Sequence, residues 1–214
     1  MNMFTSFDNI DNIDNLEYSD HDDMDAFCEF TSNNSLPCRL KIVHMNIRSM
    51  NANFGEFQHL LTYIPVDLDI IVLTETWSIN SELYNNLLPG FSLVASSQCN
   101  KAGGVFIFFS KYTINLIDSD RDFIDSADSV SITFDFENIK NLTLVGIYRS
   151  PSNEIGTFTD SFDLWYESRN KTNIYAMIGD FNICYKRYFS DLSGKVFFDT
   201  LLNRALYPII RTET

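Results

Sequence analysis

Four polar clusters each follow an apolar run, and their side chains have the types needed for phosphate chemistry. They are His44-Met45-Asn46-Ile47-Arg48, Thr74-Glu75-Thr76-Trp77, Gly146-Ile147-Tyr148-Arg149-Ser150-Pro151 and Gly179-Asp180-Phe181-Asn182. Glu75 comes after the apolar run IIVLT. An acid there is costly unless solvated or paired, and a divalent cation is a good partner for it. The plainer reading is a surface acid at a strand end. Asp180 follows IYAMIG in the same way, and Asn182 lies two residues on. In an extended segment both side chains point the same way. Such a pair can orient a water and hold a phosphate oxygen at once, although Asp and Asn are equally at home in turns. Tyr148 and Arg149 offer a phenolic hydroxyl and a bidentate guanidinium, both suited to phosphate. Taken singly, Tyr148 reads as a core aromatic, and His44 reads as a strand residue satisfied by local hydrogen bonds.

Function tends to lie on loops held by a rigid scaffold, so the elements that precede these clusters matter. The pattern predicts strands at Leu40–Met45, Asp69–Thr74, Phe91–Ala95, Val105–Phe109, Ser129–Phe136, Leu142–Tyr148 and Ile174–Ile178. The run DIIVLT is apolar between polar ends, as in a buried strand. Ser129–Phe136 alternates instead, with Val130, Ile132, Phe134 and Phe136 on one face, which predicts a half-exposed strand. Gly103-Gly104 breaks the chain between two strands. Helical spacing predicts helices at Phe54–Tyr63, ended by Pro65, at Phe158–Ser168 and at Lys195–Arg204. About eight strands with three or four helices, several strands adjacent in sequence, fit two packed sheets flanked by helices better than an alternating βα fold. Strand ends from different parts of a sheet can converge at one edge, which would bring the four clusters into one cleft.

The chain has 214 residues, 45% of them hydrophobic, with 19 Phe and 10 Tyr, enough for one domain with a sizeable core. No apolar run approaches the roughly 20 residues of a membrane helix, and the acidic N-terminus does not resemble a secretion signal. Cys28, Cys38, Cys99 and Cys184 are widely spaced with no CxxC pair, which fits reduced thiols and argues against a structural zinc site. The expected location is intracellular, nuclear or cytoplasmic. A net charge of −14 argues against simple electrostatic capture of nucleic acid. Much of that charge is local. Residues 1–38 hold nine acids and no Lys or Arg, leaving 20 acids against 15 bases in the rest. Divalent metal and local basic residues can offset the remaining repulsion. The segment 1–38, with its repeated Asp-Asn-aliphatic triplet at Asp8, Asp11 and Asp14, reads as an acidic disordered tail before a domain spanning 39–214. The sharper alternative is a short protein-partner motif built on Phe4, Phe7, Ile10, Ile13 and Leu16.

The ordered set HMNIRSM, LTETW, GGVFIFF, GIYRSP and IGDFNI resembles the endonuclease domain of non-LTR retrotransposon proteins. That group is related to apurinic/apyrimidinic endonucleases and to the DNase I fold, within the endonuclease/exonuclease/phosphatase superfamily. The similarity runs from about Leu40 to Thr214. Any one motif is weak, but five in the expected order are specific. The resemblance implies an α/β, four-layer αββα sandwich with two mostly antiparallel sheets, and phosphodiester hydrolysis of DNA assisted by Mg²⁺ or Mn²⁺.

Carried over residue by residue, the resemblance makes Glu75 the metal ligand and Asn46 an asparagine that helps hold the catalytic centre. It makes Tyr148 a contact to the scissile phosphate. Asp180 would orient the attacking water, and Asn182 would bind phosphate and stabilise charge. Arg48 stands where relatives outside the retrotransposon group often carry an acid, so it receives no metal role and is a candidate phosphate contact, as is Arg149. The family pattern continues past a segment like LYPIIRTET to an Ile-Asp element and a Ser-Asp-His end carrying a catalytic histidine. This sequence ends at Thr214, inside that segment, and its histidines, His21, His44 and His59, all precede GDFN. The expectation is therefore a domain lacking its last strands and that histidine, with activity in question. Two further readings stay open: a phosphatase or phospholipid phosphodiesterase of the same superfamily, and a non-enzymatic remnant that binds a partner.

Overall fold

Alternation along the strands sorts apolar side chains into layers. In the computed structural model, which describes residues 2–6, 40–64, 67–78, 80–97, 102–184, 187–188 and 190–208, β1 is Asn2–Ser6, β2 is Ile42–Asn46 and β3 is Ile70–Thr74. Helix α1 is Met50–Leu61, and β4 and β5 are Phe91–Ala95 and Val105–Ser110. Next come β6 (Asn115–Arg121), β7 (Asp128–Phe136), β8 (Ile139–Tyr148) and α2 (Ile155–Glu167). β9 (Ile174–Asp180), α3 (Leu192–Asn203) and β10 (Leu206–Pro208) complete the order.

The smaller sheet has the order β2-β3-β5-β4 and the larger β10-β1-β9-β8-β7-β6. Two pairs are parallel, β2 with β3 and β8 with β9. Each is joined by a crossover containing a helix, as parallel neighbours require. The other pairings are antiparallel. Along β3, Ile70 and Val72 face the larger sheet and pack with Val130, Ile132, Leu144 and Ile178. Ile71 and Leu73 face the other way, under Met50, Phe54 and Phe57 of α1. On the far side, Val145 and Met177 pack under Phe158 and Phe162 of α2 and Phe197 and Phe198 of α3. The layers are α1, smaller sheet, larger sheet, then α2 with α3: the expected αββα sandwich. Both faces of β3 are covered, which is why its sequence is a continuous apolar run rather than an alternating one. Among the described residues, no helix is long and apolar enough to cross a membrane.

Several boundaries differ from the sequence expectation for local reasons. Helix α1 begins at Met50, four residues early, because the Ser49 hydroxyl accepts the Ala52 N–H at 3.3 Å and caps the helix. Asp191 caps α3 in the same way, accepting from Ser193 N at 3.1 Å. Strand β7 was expected to be half-exposed, yet Ser129 and Ser131 are 0% and 5% exposed. The Ser129 hydroxyl takes the N–H groups of Phe123 and Ile124, so its polarity is satisfied inside the protein. Strand β6 was not expected at all. Its sequence NLIDSDR is mostly exposed and charged, as suits a sheet edge protected from further pairing. Residues 2–6, within the segment read as a tail, pair with β9 and β10. The rest of that segment up to Cys38, with the Asp-Asn-aliphatic triplets, lies outside the described residues, as does Pro65.

Candidate active site

The inner faces of the sandwich carry the polar residues to one end of it. On β2, Ile42, His44 and Asn46 alternate onto the same face, and Asn46 is the last residue of the strand. Glu75 follows directly on Thr74 at the end of β3, the Cα partner of Asn46. In the larger sheet, Asp180 ends β9 two residues beyond the inward-facing Ile178, and it pairs with Tyr148 at the end of β8. Two residues before Tyr148 is Gly146, where an added Cβ would lie 2.8 Å from Val105 Cγ1 of the opposite sheet. The sheets approach too closely there for any larger residue. The four strand ends thereby meet, two from each sheet.

Asn46 joins them. Its Nδ2 donates to Glu75 Oε1 at 2.7 Å and to Asp180 Oδ2 at 3.2 Å, while its Oδ1 accepts the Arg48 N–H at 3.2 Å. With two carboxylates on one side, only the nitrogen can face them, so the amide orientation is unambiguous. Asp180 is held again by the Asn182 N–H on its Oδ1 at 3.1 Å. Each carboxylate oxygen so engaged retains an acceptor site. The Tyr148 phenol hydrogen-bonds to Glu75, and its pKa is pushed up to about 12, first by burial and then by the charges of Glu75, Asp180 and Asp128. It is a neutral donor throughout the physiological range and cannot serve as a base there.

The pair Asp180 and Asn182 does not have the extended geometry that puts both side chains on one face. Asn182 has φ +51°, and the bond from its N–H to Asp180 makes the segment a turn. Its side-chain Nδ2 donates to the Arg149 carbonyl at 2.8 Å. Asn182 is nevertheless exposed beside Asp180.

Arg149 corrects an expectation. Proposed from sequence as a phosphate contact, it is 1% exposed and donates to Phe181 O at 2.8 Å, Ser150 O at 3.0 Å, Asn182 O at 2.8 Å and Asn153 O. A guanidinium has five N–H donors, and four of these bonds go to backbone carbonyls. It holds the Asp180–Asn182 loop from behind. Arg48, by contrast, is exposed. His44 is a strand residue, as expected, but its partner is not local: it is half-buried on β2 with Nε2 3.1 Å from Thr74 Oγ1 on the neighbouring strand. Burial pushes its pKa down to about 3.

Two residues escaped the sequence reading. Asp128, 2% exposed, lies opposite Tyr148 across the β7–β8 pair and accepts the Gly104 N–H at 2.8 Å. Looking only at the C-terminal ends of apolar runs overlooks it, because an antiparallel strand brings its N-terminal end to the same edge. The signal was present as an acid just ahead of the alternating run. Gly104, read only as a break, has φ +99°, and a Cβ there would stand 2.2 Å from Thr76 Oγ1. It lets the β3 and β5 ends close over Thr76.

Backbone strain gathers at the same place. Among the described residues, Arg48, Ser49, Glu75, Trp77 and Asn182 are five of the ten non-glycine residues with positive φ. Such conformations each cost of order 1–3 kcal/mol and persist where surroundings over-determine them. Here the determinants are backbone bonds between loops: Ile47 N to Thr74 O, Ser49 N to Glu75 O, Met50 N to Thr76 O and Trp77 N to Gly103 O, all 2.8–3.0 Å.

The donor set suits a divalent cation. Glu75 and Asp180 converge on one amide, Asp128 lies close enough to act on the same phenol, and the guanidinium of Arg149 is spent elsewhere. Among the described residues no three His, Cys, Asp or Glu side chains gather as a metal cage. Mg²⁺ does not need one, since it usually keeps several waters and takes one or two carboxylates together with substrate phosphate.

No protein-family model and no curated protein matches the sequence. Solved structures do. An endonuclease/exonuclease/phosphatase family protein from Bacteroides thetaiotaomicron superposes with a TM-score of 0.56 at 15% identity, over 75% of this chain and 68% of that one. An AP endonuclease from Archaeoglobus fulgidus gives 0.56 at 14%, over 77% and 70%. TDP2 of D. rerio, complexed with a single-strand DNA product, gives 0.54 at 15%, over 74% of this chain and 64% of that chain. The chain has a DNase I-like fold. At these identities the likeness establishes architecture, and the chemistry must be argued from the residues.

Proposed function

We propose that this chain is a metal-dependent phosphodiester hydrolase, a DNA endonuclease domain of the retrotransposon type. The observation that carries the proposal is the Asn46 amide, which binds Glu75 of one sheet and Asp180 of the other at once. The order of the five sequence motifs supports the retrotransposon assignment, and the reduced-thiol pattern of the cysteines supports a nuclear or cytoplasmic location. Asp180, fixed at both oxygens, orients a water and takes its proton as the oxygen attacks phosphorus; the P–O ester bond opposite breaks, and the leaving alkoxide takes a proton from solvent. Tyr148 stays protonated and, its single O–H turning from Glu75 to the substrate, donates to a non-bridging oxygen as charge develops on it. Asn182, exposed beside Asp180, donates to the same phosphate, and Arg48 meets a neighbouring one. Asn46 keeps the two carboxylates apart and aligned. Mg²⁺ or Mn²⁺ held by Glu75 would supply Lewis-acid polarisation of the phosphoryl group.

The test is nicking of supercoiled plasmid by the purified chain with Mg²⁺ or Mn²⁺, alongside Glu75→Gln and Asp180→Asn. Activity is expected to need the metal and to fall about a hundredfold or more in either variant. Equal background cleavage by all three proteins would remove the claim. Faster release of phosphate from sugar phosphates than from DNA would move the chain to the phosphatases of the superfamily.

A further inference from the structure

The chain has two tryptophans, and the structure treats them oppositely. Trp165, on the buried face of α2, is 5% exposed and stacked on Phe123. Trp77 is 42% exposed and has φ +50°. A large exposed aromatic in a strained backbone carries two liabilities in one residue. It stands two residues from Glu75, and its N–H is bound to Gly103 O at 2.9 Å. Its other neighbours are equally fixed. Thr76 is buried under Gly104, and Met50 N bonds to Thr76 O at 2.8 Å. The loop therefore presents Trp77 to solvent on a rigid mount at the rim of the candidate site, beside the loop carrying exposed Arg48.

We infer that Trp77 is a stacking platform for a nucleobase flanking the cleaved phosphate, so that the substrate is an unpaired or locally opened polynucleotide strand. The inference rests on the hydrolase reading and names how that site grips its substrate. Charge supports it. At −14, the chain has little long-range attraction for a polyanion. Stacking supplies affinity that does not depend on net charge, and it tolerates any sequence because every base has a π-face. A rigid aromatic also loses little freedom on binding.

The test uses the full chain and two probes, single-stranded oligothymidylate and bis(p-nitrophenyl) phosphate. Titration with the oligonucleotide should quench the fluorescence of wild-type protein, while inorganic phosphate should not; Trp77→Phe, which leaves only buried Trp165, should show no quench. Trp77→Ala should weaken oligonucleotide binding by anisotropy about tenfold or more, with turnover of the small diester within about twofold of wild type. Trp77→Phe should recover most of the binding. Absence of quenching, unchanged binding in Trp77→Ala, or a parallel fall in small-diester turnover would each overturn the inference. A wild-type chain that hydrolyses neither ester defeats the hydrolase reading alone, because quenching and anisotropy still decide whether Trp77 binds a base.

Discussion

Asn46 and Asp180 are 134 residues apart in the chain, yet the amide of one donates to the carboxylate of the other at 3.2 Å. The bond crosses from the smaller sheet to the larger, and the same nitrogen donates to Glu75. Asn46→Ala removes both donors and leaves two carboxylates facing each other. We expect plasmid nicking to be lost and stability to fall by about 1–3 kcal/mol in urea denaturation. Asn46→Asp should be worse at neutral pH than Asn46→Ala, because it sets a third carboxylate against the other two.

Arg149→Met should be among the most damaging substitutions in the protein, although no substrate contact is assigned to it. Four backbone carbonyls lose their donor together, at a cost of about 3–5 kcal/mol. Arg149→Lys should not restore it, because an ammonium cannot reach the span of a planar fork. Guanidinium denaturation midpoints measure the loss. A variant that nicks poorly but keeps wild-type stability would return Arg149 to the substrate.

His44 sets an acid limit. In the folded state its pKa lies near 3, against an ordinary 6.5 that the unfolded chain keeps. The unfolded state therefore binds more protons as pH falls. Stability attributable to this residue is full above pH 6.5 and is lost progressively as pH drops towards 3. Denaturation midpoints measured from neutral pH downward should show this slope, and His44→Gln should flatten it. An unchanged slope in the variant would assign acid sensitivity to the carboxylates instead.

Tyr148 sets the alkaline one. Its pKa is raised from 10 to about 12, so its contribution to stability is present below pH 10 and is lost as pH rises from there towards 12. Burial also raises the Tyr175 phenol, so an ultraviolet titration should show more than one tyrosine ionising late, and Tyr148→Phe should remove part of that late step. The variant should also nick plasmid about a hundredfold more slowly. Its pH profile below 10 should keep the wild-type shape, because the phenol acts as a donor and not as a base.

The legible parts of this protein were those whose cause is local. A strand covered on both faces must be apolar throughout, so Ile70–Thr74 announced itself; residues at the ends of such strands, Glu75 and Asp180 among them, followed. What escaped depends on partners distant in sequence. Nothing near Arg149 reveals that its guanidinium meets carbonyls of residues 181 and 182, so a phosphate-binding side chain and a loop anchor look alike. Asp128 belongs to the site because β7 runs antiparallel to β8, which is a fact of topology. Asn115–Arg121 looks like a loop because an edge strand is exposed and charged for the same reason that a loop is. The positive φ values at Glu75 and Trp77 come from backbone bonds between loops, and no residue preference signals them.

Gly146 and the two sheets that close over it give the site an unusual dependence. Its side chains are divided between the two sheets, so the site is a property of the seam and exists in neither half. Conditions that keep secondary structure but loosen side-chain packing would let the sheets drift apart and separate Asn46 from Asp180 while the circular dichroism hardly changed. On the hydrolase reading, plasmid nicking would then gauge native docking more sensitively than any spectroscopic measure of helix or strand. A bulkier residue at position 146 would act as a wedge that shifts that balance without touching a single group of the site.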